Sequence, residues 1–105
     1  MRNYKIGEFE EVVLLVVASL GKAYANTIVT ELKAKLARKA SLSTVHITLY
    51  RLEDKGLLKS DWGEPTDKRG GRRKRFYEMT SFGMELLKEI KTTRTQLWSL
   101  IPELK

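Results

Sequence analysis

Between Lys68 and Arg75 the chain reads KRGGRRKR, six basic residues in eight with no acid among them. Side chains of this type form charge-assisted hydrogen bonds to phosphate, and a planar guanidinium can engage two oxygens at once. Gly70 and Gly71 permit a tight turn and a close approach to a groove or a phosphodiester backbone. Lys68, Arg69, Arg72, Arg73 and Lys74 are therefore candidate nucleic-acid contacts of the kind that hold a protein in place without reading sequence. The bland alternative is a solvated loop. Neither GxxxxGK nor GxGxxG occurs, so the run is no nucleotide-phosphate loop.

A second candidate lies upstream in Ser43–Gly56, STVHITLYRLEDKG. Val45, Leu49 and Leu52 recur at helical spacing and mark one apolar stripe. Thr44, Ile47, Thr48 and Arg51 fall away from that stripe, free to meet something outside the protein. Ser43, Thr44, Thr48 and Arg51 are residues able to reach base edges or phosphates. Glu53 and Asp54 would repel a phosphate backbone, so the N-terminal half of the helix is the part expected in a groove. Tyr50 is expected to pack against the wing or the second helix.

The elements around these residues follow from local patterning. Phe9–Leu20 is apolar almost all round; a buried strand is conceivable, but its length, its early acids and Gly21 favour a central buried helix. From Ala23 to about Arg38 runs a second helix, with Tyr24, Ile28, Leu32 and Leu36 on its inner face. Lys39–Ser43 is the turn, with Ser41 or Ser43 capping the third helix. Gly56 closes that helix, and Leu57–Trp62 and Lys74–Thr80 read as two strands flanking the basic loop. Trp62 is expected in core or hairpin packing. Thr80 or Ser81 caps a last helix, about Phe82 to Leu100, which Pro102 ends. Leu86, Ile90, Thr93, Leu97, Leu100 and Leu104 form a heptad-like seam on it, flanked by Trp98 and Ile101. Leu86, Ile90, Leu97, Trp98 and Ile101 are thus the expected homodimer interface. Trp98 could pack there, line a pocket for a flat aromatic effector, or serve neither purpose.

The expected fold is mainly α with a small β-hairpin: a winged helix-turn-helix over residues 1–80, with a C-terminal dimerisation helix over 81–105 in the same compact unit. At 105 residues there is room for one core and no second domain. The 42% hydrophobic and 31% charged content suits a folded chain. A net charge of +7, from 20 basic and 13 acidic residues, leaves nucleic acid, an anionic membrane and general solubility open, and its concentration in Lys68–Arg75 is what makes double-stranded DNA the expected partner. The absence of cysteine and the single histidine leave no convincing nucleophile–base pair and no metal cluster, so neither enzyme activity nor a cofactor is expected. No long apolar run occurs, and acids stand where a signal peptide would be apolar; a cytoplasmic protein with no membrane partner is expected.

The chain resembles the PadR-type transcriptional regulators. IGEFEEVVLLVVASLGKAYA is similar to that family's opening helix and its Gly-x-Ala-Tyr, TVHITLYRLEDKGLL to its third helix, and GEPTDKRGGRRKRFYEMTSFG to its wing and the start of its last helix. The likeness spans roughly residues 6–90, and the short last helix points to the compact subgroup. It implies a bacterial-type repressor that binds a palindromic operator as a dimer, with release by a small, often aromatic, compound. His46 departs from the family, which has a Tyr associated with DNA contact there; His can still donate to a phosphate. The competing class is a winged helix used for protein or RNA binding.

Overall fold

The computed structural model describes residues 5–63 and 74–104. The order of elements is α1 (Glu8–Leu20), β1 (Ala23–Tyr24), α2 (Ala25–Leu36), α3 (Leu42–Asp54), β2 (Leu58–Trp62), β3 (Arg75–Met79), α4 (Ser81–Ser99) and a closing 3-10 turn (Pro102–Leu104). Four helices surround a small antiparallel sheet of order β1-β3-β2. Lys68, Arg69, Arg72 and Arg73 lie outside the described residues.

α1 is the centre of the molecule and packs on α2, α3, α4 and β3. Its Val13, Leu14 and Val17 are fully buried, which settles the strand-or-helix choice in favour of an interior helix. Gly21, at φ 81°, takes the left-handed conformation that ends it. The second helix begins later than its pattern suggests. Ala23 and Tyr24 instead form an edge strand opposite Tyr77 and Phe76, so Tyr24 is not on the inner face of α2. Two residues are too short a run to show period-two alternation. Leu36 is also corrected: it falls in the last turn, past the core, and is exposed.

Three clasps fix the relative placement of the helices. Glu8 accepts two bonds from Arg38 just beyond α2, at 2.7 and 2.8 Å. Glu10 accepts from Lys55 at the end of α3, at 3.0 and 3.1 Å. Glu11 accepts from Arg94 of α4 at 2.7 Å. One acidic turn thus holds one cation from each of the other helical segments. Next to the Lys55 clasp, the Thr80 hydroxyl donates to the Gly56 carbonyl and accepts from the Gly83 N–H, tying the end of α3 to the start of α4. Gly83 lies so close to the Leu57 carbonyl that a Cβ there would collide with it.

The seam on α4 divides in two. Leu86 and Leu87 are buried in the core, so Leu86 is corrected from interface to core residue: the first turns of α4 lie directly over α1. Ile90 packs at the edge of that core. Beyond it, Leu97 and Trp98 are 58% and 61% exposed, and Leu100 and Ile101 are exposed as well.

Partial burial pushes the Glu10 carboxyl up, but its bond from the Gly7 N–H, the Lys55 ammonium and the nearby Arg51 more than offset this and hold it below the usual carboxylate range. A depressed folded value stabilises the fold at neutral pH, and that contribution fades as the pH falls through the folded value. Glu10→Gln should therefore lower the unfolding temperature at pH 7 and lower it progressively less towards pH 3. A pH-independent deficit in thermal unfolding would contradict the clasp.

Candidate nucleic-acid interface

α3 starts at Leu42 because Ser41 caps it. The Ser41 Oγ accepts from the Thr44 N–H at 3.1 Å and donates to the Thr44 hydroxyl oxygen at 2.8 Å. The Thr44 hydroxyl keeps its own proton for an acceptor outside. Val45, Leu49 and Leu52 are fully buried. Thr48 joins them at 5% exposure, its hydroxyl donating to the Thr44 carbonyl at 2.9 Å. It therefore does not fall away from the stripe as expected: its hydroxyl is spent on its own helix.

The outward face of α3 carries Ser43, Thr44, Ile47, Tyr50 and Arg51, all exposed. No hydrogen bond from the Arg51 guanidinium occurs among the described residues. His46 is half-buried, and its Nδ1 has no partner among them. Its ring lies 6.0 Å from that of Tyr50. Beside it, a hollow of about 490 Å³ opens between the start of α2, α3 and the base of the hairpin, with Tyr24, Asn26, His46, Tyr50, Trp62 and Lys74 in its wall. Of the two expected places for Trp62, the hairpin is the one it takes: it is half exposed, outside the core, and pairs with Arg75 in the ladder. Lys74 is exposed at the mouth of the wing, its Nζ 5.9 Å from the Tyr24 ring.

Arg75, unlike the exposed Lys74 before it, is partly buried and bonded to its neighbours. Its Nη2 donates to a Glu53 carboxylate oxygen at 2.8 Å, and its Nε to the Ser60 Oγ at 3.0 Å. Ser60 in turn donates to the other Glu53 oxygen at 2.6 Å. The guanidinium also lies 5.5 Å from the Tyr50 ring, 5.8 Å from Trp62 and 5.5 Å from Tyr77. Tyr77, opposite Ser60 in the ladder, is buried, and that burial pushes its phenol above the usual range. Glu53 is therefore not a bare charge repelling a phosphate backbone; it is neutralised and fastens the hairpin to α3. Arg75 and Glu53 were missed as a pair because residues 22 apart meet only once the hairpin has formed. The lack of any basic residue three or four positions from Glu53 in the sequence is the signal that could have suggested them.

Trp98 lies apart from this surface. It lines a hollow of about 540 Å³ between α1 and α4, with Leu15, Met84, Leu87, Ile90 and Arg94. Among the described residues, no group of three or more histidine, cysteine, aspartate or glutamate side chains could hold a metal ion.

A helix-turn-helix followed by a hairpin and a long last helix defines the winged-helix class of regulators. The chain belongs to the PadR-like family of transcriptional regulators, whose family model matches residues 13–98. Its fold is similar to that of a PadR-like transcription factor from Bacteroides fragilis, 23% identical, with a TM-score of 0.76 over 92% of this chain and 89% of that one. A PadR family regulator from Eggerthella lenta is 28% identical, with a TM-score of 0.68 over 92% and 85%. Bacillus subtilis PadR, solved in complex with operator DNA, is 20% identical, with a TM-score of 0.69 over 81% of this chain and 47% of that one. None of the curated proteins matches the chain. No helix among the described residues is long and apolar enough to cross a membrane.

A double-mutant cycle tests the clasp. Because both partners are about a third exposed, Glu53→Gln and Arg75→Gln should show a coupling of about 0.5–1.5 kcal/mol in urea unfolding. Additive effects would mean that the hairpin is held by its ladder alone.

Proposed function

We propose that the protein is a sequence-specific DNA-binding regulator, acting as a homodimer that represses transcription from a palindromic operator. One observation carries this reading: a helix face of exposed hydrogen-bonding groups sits beside a hairpin whose base is bonded to that same helix. A hairpin so fastened cannot swing independently of α3, so the helix and the wing engage a duplex as one body. α3 enters the major groove, where Ser43, Thr44 and Arg51 face base edges and His46 faces a phosphate. Lys68, Arg69, Arg72, Arg73 and Lys74 take flanking phosphates or the minor groove. That the Bacillus subtilis relative was solved in complex with operator DNA supports the DNA-binding reading.

The second copy is held through the far half of α4. Leu97, Trp98 and Ile101 are large, apolar and exposed on a helix that has already passed its own core, and Leu15 of α1 continues the apolar surface. Pairing through this surface fixes the spacing of two α3 helices. The hollow at Trp98 then lies beside the interface, where a flat aromatic effector stacked on the indole would alter that spacing and release the DNA. Residues 1–80 act as the reading unit and 81–105 as the pairing unit, in the cytoplasm.

Selection from a random duplex library should enrich a palindrome with half-sites about one helical turn apart. Leu97→Asp with Ile101→Asp should sediment as a folded monomer and bind that palindrome at least about 100-fold more weakly, through loss of the second contact. An intact dimer would remove α4 from the interface. Failure to enrich any duplex would favour a protein- or RNA-binding role.

A further inference from the structure

The outward face of α3 holds a residue that the hydrogen-bonding picture does not use. Ile47 is 50% exposed at the middle of the helix, on the side opposite the buried stripe. Its neighbours one turn away, Thr44 and Arg51, are exposed as well, and the three share the wall of a shallow hollow of about 400 Å³ with Gly7 and Phe9. A β-branched side chain in a helix is nearly locked in one χ1 rotamer, so it loses little entropy when something packs on it. It offers no hydrogen bond. A polar groove reader would be the ordinary choice at this position.

Resting on the DNA-binding reading above, we infer that Ile47 is a specificity residue that recognises the 5-methyl group of a thymine in the major groove. That methyl is the apolar feature by which the major groove distinguishes one base from the other three. The apolar patch is Ile47 with the half-buried Phe9, beside Thr44 and Arg51, far smaller than a protein interface needs. It shares no lining residue with the apolar hollow at Trp98. Arg51, one helical turn further along, lies about 6 Å away along the helix axis. With base pairs stacked about 3.4 Å apart, the thymine falls within one or two base pairs of the base that Arg51 contacts. Thr48, the residue next to Ile47 in sequence, cannot substitute for it, because it is buried.

The test uses the full-length protein and the duplex enriched from the random library, with each thymine replaced in turn by deoxyuridine, which lacks only the methyl group. At one thymine per half-site the replacement should weaken wild-type binding about fourfold, the effect of one methyl group returned to water. Ile47→Ala should bind the thymine and deoxyuridine duplexes equally, with an unchanged unfolding temperature because the side chain is exposed. At the same position, replacing thymine by cytosine should weaken binding, and 5-methylcytosine should recover part of the loss. Wild-type indifference to deoxyuridine at every position would overturn the inference while leaving DNA binding intact. So would an Ile47→Ala variant that keeps the thymine preference. If the library yields no duplex at all, the DNA-binding reading fails first, and the inference with it.

Discussion

A single arginine, Arg75, decides how the hairpin meets α3. It is the last residue of a basic run, and it donates to Glu53 and Ser60 between three aromatic rings. A charge-assisted bond of this kind, partly shielded by ring faces, is worth more than an exposed ion pair. Its consequence is geometric: the first pairs of the β2–β3 ladder are fixed against the C-terminal half of α3. The same contact cancels the Glu53 charge that would otherwise oppose an approaching phosphate. What remains outward at that end is Tyr50 and the hollow walled by His46, Trp62 and Lys74.

The distribution of charge follows a similar logic at the N-terminus of α1. Glu8, Glu10 and Glu11 take up Arg38, Lys55 and Arg94, one from each neighbouring helical segment. These acids also sit at a helix N-terminus, where negative charge is favoured by the dipole. Three cations are thereby consumed in holding the fold. The count of basic residues alone would overstate what is left for a partner, whereas Arg51 and Lys74, with no carboxylate bonded to them among the described residues, stand on the surface that also carries the α3 face. The structure divides its basic residues between building and binding.

Much of the architecture was legible in the sequence because its signals are local. The apolar spacing of Val45, Leu49 and Leu52, the serine cap and the glycine stops give the helices and the hairpin directly. What was not legible depends on tertiary neighbours. β1 exists only because β3 offers two residues an edge to pair with. Thr48 reads as polar and outward by type, but its place beside Leu49 and Leu52 turns it inward, and a bond to the Thr44 carbonyl makes that burial tolerable. Leu86 belongs to an evenly spaced seam, yet α1 covers only the first half of that seam, so one pattern serves the core at one end and an open surface at the other. Ile47 was visible as an outward residue, but its exposure gains meaning only once Thr48 is known to be buried beside it.

The central claim is a division of labour, in which wing charges hold DNA and the α3 face chooses it. Affinity for the enriched palindrome and for a random duplex, measured by fluorescence anisotropy across a series of salt concentrations, tests this most directly. Both should weaken steeply and nearly in parallel as salt rises, by roughly 0.9 log unit per log unit of salt for each phosphate neutralised. Their ratio should stay nearly constant, since discrimination rests on uncharged and base-edge contacts. A shallow dependence for both duplexes, or a ratio that collapses at high salt, would contradict that division.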